Sequence, residues 1–110
     1  MRLFGKPSHK EVDVAGLKAL LDRGKALVVD VREANEFALG HIPGAVNVPL
    51  SSFSPDRLPH ETGKQLVLNC LGGKRSGKAL DQCRGAQQVV DTHLAGGFGA
   101  WAKAGFPVER

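Results

Sequence analysis

The sequence predicts an α/β domain: a mostly parallel central sheet of about five strands with helices on both faces. Short runs rich in Val and Leu alternate along the chain with segments of helical periodicity. Two of the runs, Ala26–Val31 and Leu66–Leu68, are continuously apolar or nearly so, as in strands covered on both sides. No internal repeat or linker interrupts the alternation, and 110 residues suit a single core.

Taken in order, Met1 to Lys10 mixes Gly5, Pro7, Ser8 and His9 with charges and reads as a flexible lead-in, which leaves 11–110 as the domain. Glu11-Val12 forms a short edge strand. Asp13 stands where it can cap a helix over Val14–Arg23, in which Val14, Leu17, Leu20 and Leu21 recur at helical spacing, and Gly24 follows its end. Ala26–Val31 is a central strand with Asp30 near its C-terminal end, where sites gather in open α/β sheets. Asp30 and Arg32 can therefore border a site or form an ion pair that fixes the loops, and the second role is the simpler one.

Glu33–Leu39 reads as a short helix ended by Gly40. His41-Ile42-Pro43-Gly44 is then a turn, and Ala45–Val48 a short strand. Ser51–Leu58 suggests a brief helix opened by Ser51 or Ser52, followed by a polar connection over Pro59–Lys64. Leu66–Leu68 runs into a turn at Asn69-Cys70, and Gly77–Arg84 reads as the next helix. Gln88–Leu94 suits a further strand. Gly96-Gly97 turns the chain into a last helix, from Phe98 to Lys103, with Phe98, Trp101 and Ala102 on one face. Gly105-Phe106-Pro107 ends it.

Composition narrows the function classes. The charge of +4 comes from 15 Lys+Arg against 11 Asp+Glu, but these residues are scattered and not interleaved with aromatics, so no nucleic-acid partner is expected. No stretch reads as a signal peptide or a bilayer span, so no membrane partner is expected. Two cysteines make no disulfide framework and fit a reducing compartment, here taken as the cytoplasm. Cys83 shares a helical face with Ala79 and Leu80 and reads as a small core residue. His41 has no second histidine, cysteine or acid at ligand spacing, so no metal is expected; His41 and His93 read as scaffold, and His60, in the polar connection, carries no assignable chemistry.

The chemistry concentrates in Cys70-Leu71-Gly72-Gly73-Lys74-Arg75-Ser76. A cysteine sits where a strand ends and a helix is about to begin. Adjacent glycines let the backbone curl, so that successive N–H groups from Leu71 to Arg75 can point at one spot. Lys74 and Arg75 add positive charge there, Ser76 is placed to cap the helix, and the thiol should ionise below the ordinary range for cysteine. This is a thiolate nucleophile in a small anion cradle, and it requires that the thiol be reachable and that the amides converge on it. Tyrosine-type phosphatases place five residues between such a cysteine and the arginine, whereas four stand here, making a tighter ring better matched to one extra sulfur than to phosphate.

The same loop resembles the Cys-x-x-Gly-x-Arg-Ser active-site loop of rhodanese-like sulfurtransferases. Asp30-Val31-Arg32, Glu36-Phe37 and Gly40-His41-Ile42-Pro43-Gly44-Ala45 resemble an upstream block of that family. Leu94-Ala95-Gly96-Gly97-Phe98, Trp101 and Gly105-Phe106-Pro107-Val108 resemble its closing block. The likeness runs from about Val12 to Val108. It implies ping-pong sulfur transfer: Cys70 takes the outer sulfur of a small anionic donor such as thiosulfate and passes it from a persulfide to a thiol or protein-thiol acceptor. No cofactor beyond that persulfide is implied. Leu71 departs from the polar or basic residue often found at its position, and so points to an apolar or protein partner. A persulfide carrier or interaction module with little turnover is the alternative, and a cysteine-dependent phosphatase or arsenate reductase ranks below it.

Overall fold

The computed structural model describes residues 9–84 and 90–110. Five strands form one sheet: β1 (Lys10–Val12), β2 (Ala26–Asp30), β3 (Val46–Asn47), β4 (Gln65–Asn69) and β5 (Thr92–Leu94), in the order β1-β5-β4-β2-β3. Every pairing is parallel, and β4 runs in register with β2 from Ala26↔Gln65 to Asp30↔Asn69. Parallel neighbours need crossovers, which here carry helices α1 (Val14–Asp22), α2 (Ala34–Leu39) and α3 (Lys74–Cys83), while α4 (Gly97–Lys103) follows β5.

Both faces of the sheet are covered, as the apolar runs required. Ala26, Val28 and Val67 point to one side, into a core with Leu17 of α1, Leu94 and Trp101 of α4. Val29, Val31 and Leu68 point to the other, against Ala79, Leu80 and Cys83 of α3, with Cys70 among them. The period of two along β2 and β4 thus divides one apolar run between two cores. Trp101 is 1% exposed and its indole N–H donates to the Pro107 carbonyl at 2.7 Å, which fastens the C-terminal segment to α4. Asp13 caps α1 by accepting from the Gly16 N–H at 2.8 Å, and Gly24, with φ +66°, lies just beyond its end.

Four expectations change. Ser51–Leu58 is not a single helix but two 3-10 turns, Leu50–Ser52 and Pro55–Arg57. Pro55 keeps Ser54 extended (φ −150°, ψ 140°), which interrupts any helix there, and Ser54 rather than Ser51 or Ser52 caps the second turn. β3 is two residues long rather than four. α3 starts at Lys74, three residues earlier than its periodicity suggested, because Gly73 adopts a left-handed conformation (φ 105°) that begins the helix directly. The fifth strand is also shorter than expected: Val90 and Asp91 lie before β5, which begins at Thr92. Most of the lead-in, and Gln88 and Val89 of that expected strand, lie outside the described residues, while Lys10 belongs to β1.

Candidate active site

Cys70 follows the last residue of β4, a central strand, at the C-terminal edge of the sheet. The chain then curls through Leu71, Gly72 and Gly73 into α3. Gly73 donates its N–H to Cys70 Sγ at 3.0 Å, and Ser76 Oγ lies 3.5 Å from the sulfur. Burial works against ionisation of the thiol. Hydrogen bonds from the Ser76 hydroxyl and from the Ser76, Gly73 and Gly72 amides outweigh it, so Cys70 sits below the ordinary cysteine range. Cys83 is also unpaired, and burial pushes its thiol up.

Of the amides expected to converge, those of Gly72 and Gly73 act on the sulfur, joined by Ser76. The expectation that the thiol be reachable is not met: Cys70 is buried, 1% exposed. The sulfur forms the floor of the loop, while Leu71, Gly72 and Lys74 are exposed above it. A group that is to touch the sulfur must be small, or the rim must yield.

The loop is held from two sides. Phe98 N–H donates to the Cys70 carbonyl at 2.7 Å and Gly99 N–H to the Leu71 carbonyl at 3.0 Å, so the first turn of α4 grips the backbone beneath the sulfur. A Cβ on Gly97 would lie 2.4 Å from the Cys70 carbonyl oxygen and 2.5 Å from that of Leu71. Only glycine allows this approach. From the other side, Arg75 binds Glu36 of α2 through two parallel contacts, Nη1 to Oε1 at 2.7 Å and Nη2 to Oε2 at 3.0 Å. That bidentate pair, opposed by partial burial, holds the Glu36 carboxyl at about 2. Arg75 is thus an ion-pair partner as well as part of the loop, and the amides and Ser76 lead in stabilising the thiolate.

Ser76 is not the cap of α3. It lies in the first turn, with its hydroxyl against the sulfur and 3.2 Å from the Gly73 carbonyl. Asp30 and Arg32 form a buried pair, with Arg32 Nη2 2.8 Å from Asp30 Oδ2. Arg32 Nη2 also donates to the Gly40 carbonyl at 2.7 Å, and its guanidinium stands 4.4 Å from the centre of the Phe98 ring. The pair therefore meets the α4 turn that holds the loop. His41 stacks on Phe37 with ring centroids 3.7 Å apart.

Three contributors were not assigned by sequence reasoning. Glu36 sat inside a recognised block without a role. Gly97 read as a turn residue, although a paired glycine also signals close backbone approach. His93 read as scaffold, yet its Nδ1 lies 2.7 Å from Ser76 Oγ. Among the described residues no cluster of His, Cys, Asp or Glu could hold a metal ion.

The family model of the rhodanese-like domain matches residues 13–104, and the chain belongs to that family. It is 44% identical over 94 residues to the Synechocystis protein slr1261, covering 86% of this chain and 52% of that one, so it spans about half of that relative's length. It is 33% identical over 93 residues to the chloroplastic thiosulfate sulfurtransferase 16 of Arabidopsis thaliana, covering 74% of this chain and 78% of that protein. The crystal structure of a rhodanese-related protein from Thermoplasma volcanium superposes with a TM-score of 0.76 at 27% identity, over 91% of this chain and 97% of that one.

Proposed function

We propose that the domain transfers sulfane sulfur through a persulfide on Cys70, with thiosulfate or another persulfide as donor and a thiol or protein thiol as acceptor. The observation that carries this reading is the convergence of the Gly73 N–H and the Ser76 hydroxyl on one sulfur inside a four-residue ring. Likeness to a thiosulfate sulfurtransferase supports it.

In the first half-reaction the Cys70 thiolate attacks the outer sulfur of thiosulfate. A new S–S bond forms, the bond to the sulfonate sulfur breaks, and its electron pair leaves with sulfite. The terminal sulfur of the persulfide carries the negative charge, which the loop amides from Leu71 to Arg75 hold. In the second, a thiolate or cyanide attacks that terminal sulfur and Cys70 departs as thiolate. Neither half-reaction calls for a metal or other cofactor, and the two reduced cysteines suit a reducing compartment such as the cytoplasm.

A persulfide carrier loaded by a partner protein is the second reading. It is favoured by the recessed sulfur and by Leu71, an apolar side chain 50% exposed on the rim. Intact mass separates the two. A gain of one sulfur from thiosulfate, removed by cyanide and absent in Cys70→Ser, is the result expected of the enzyme. Gain only from a persulfidated protein assigns the carrier. Cys70-dependent hydrolysis of an aryl phosphate would replace both with phosphatase chemistry.

A further inference from the structure

Behind Cys70 a line of polar groups crosses the domain toward β1. Ser76 Oγ lies 3.5 Å from Cys70 Sγ, 3.2 Å from the Gly73 carbonyl and 2.7 Å from His93 Nδ1. His93, on β5, is 5% exposed, and its Nε2 lies 3.6 Å from Glu11 Oε2 on β1. We propose that His93 is a positioning residue for the sulfur centre, accepting the Cys70 proton through Ser76 and thereby turning the Ser76 hydroxyl toward the thiolate. This rests on the reading of Cys70 as the sulfur-accepting group.

One proton decides the arrangement. The Ser76 hydroxyl has a single hydrogen and three neighbours that can take it, of which His93 is nearest. With the imidazole neutral, the proton on Nε2 faces the Glu11 carboxylate, leaving Nδ1 as an acceptor. Ser76 then donates to His93 and offers the sulfur only a lone pair, which suits a thiol. When Cys70 ionises along this line, its S–H bond breaks and the proton joins Ser76 Oγ, while the former Ser76 proton joins His93 Nδ1. No electrons leave the pair. The products are a thiolate and an imidazolium with a neutral hydroxyl between them. Ser76 now donates to sulfur, His93 Nδ1–H donates to Ser76, and Nε2–H faces Glu11.

The groups around His93 fit this role. Burial holds its imidazole below the ordinary range, His9 adds to that, and Glu11 opposes it, so a neutral acceptor is present near pH 7. Among the described residues, the titratable groups that face it are Glu11 from β1, His9 just before β1, with ring centroids 5.9 Å away, and Cys70 through Ser76 from the α3 side. His9 is itself held by Asp81 of α3 at 2.8 Å.

The test is the pH profile of Cys70 alkylation by iodoacetamide in a Cys83→Ala background, with and without His93→Gln. Loss of His93 should cut the rate at least about tenfold below pH 7, the effect of one pKa unit, and leave it unchanged where the thiol is fully ionised. An unchanged profile, or a fall equal at every pH, overturns the proposal, since a merely structural histidine gives one or the other. Should His93→Gln not fold, the His93 ring is titrated by NMR in the parent and in Cys70→Ser. Its midpoint should be lower in the variant, which lacks the thiolate, and an unmoved midpoint also overturns the proposal. Neither measurement uses a sulfur donor. A protein that fails to load sulfur therefore sinks the sulfurtransferase reading without deciding the role of His93.

Discussion

Glu36 and Arg75 clamp the reactive loop to the second helix, with Arg75 Nη1 2.7 Å from Glu36 Oε1 and Nη2 3.0 Å from Oε2. Two elements far apart in sequence, α2 and α3, are tied at the point where the chemistry sits.

The clamp has a pH signature. With its carboxyl held at about 2 against an ordinary value of 4.5, Glu36 contributes stability that is fully present above about 4.5 and is lost as pH falls through 2. After discounting for partial solvent exposure, Glu36→Gln should cost about 1–2 kcal/mol at pH 7. Urea unfolding should show that difference shrinking steadily below pH 4.5, and a gap that persists undiminished at pH 2 would contradict the assignment.

Gly97→Ala should be among the most damaging single-atom additions in the chain. Its Cβ would sit 2.4 Å from the Cys70 carbonyl oxygen, and the left-handed φ of +59° adds backbone strain. A loss of about 3 kcal/mol or more is expected, with α4 and the loop forced apart. Thermal melting measures the first effect, and slower alkylation of Cys70 reports the second.

The Asp30–Arg32 pair is wholly buried, and each partner leaves a stranded charge when the other is removed. Asp30→Asn or Arg32→Met alone should cost about 3–5 kcal/mol, whereas the double change to Leu and Met should cost much less. Arg32→Lys should not restore stability, because one ammonium cannot reach both Asp30 oxygens, the Gly40 carbonyl and the Phe98 face together. A double-mutant cycle in chemical denaturation checks all of these.

Leu71 stands half exposed at the rim of the loop, without a polar group for an anionic donor. Leu71→Arg should raise the rate of loading from thiosulfate several-fold and lower exchange with a persulfidated protein. Stopped-flow rates for both donors decide it, and two unchanged rates would remove any role for this side chain in partner choice.

The features legible in the sequence were local ones. Apolar runs disclosed β2 and β4, Asp13 announced its helix, and Cys70 with two glycines located the reactive loop. The failures share a cause: the deciding partner lay elsewhere in the chain or in backbone geometry. Glu36 stands 39 residues from Arg75 and His93 stands 17 from Ser76, so neither contact leaves a periodic trace. Gly97 was visible as a glycine, but its need for close approach depends on carbonyls from another strand's loop. The helix expected over Ser51–Leu58 failed more simply, because Pro55 outweighs two serines that resemble caps.

The outermost strands, β1 with three residues and β3 with two, have a bearing on crowding. A stray extended peptide laid along either rim could form only a few ladder bonds, too few to offset the cost of ordering it. The two rims of the sheet therefore offer little template for a further strand.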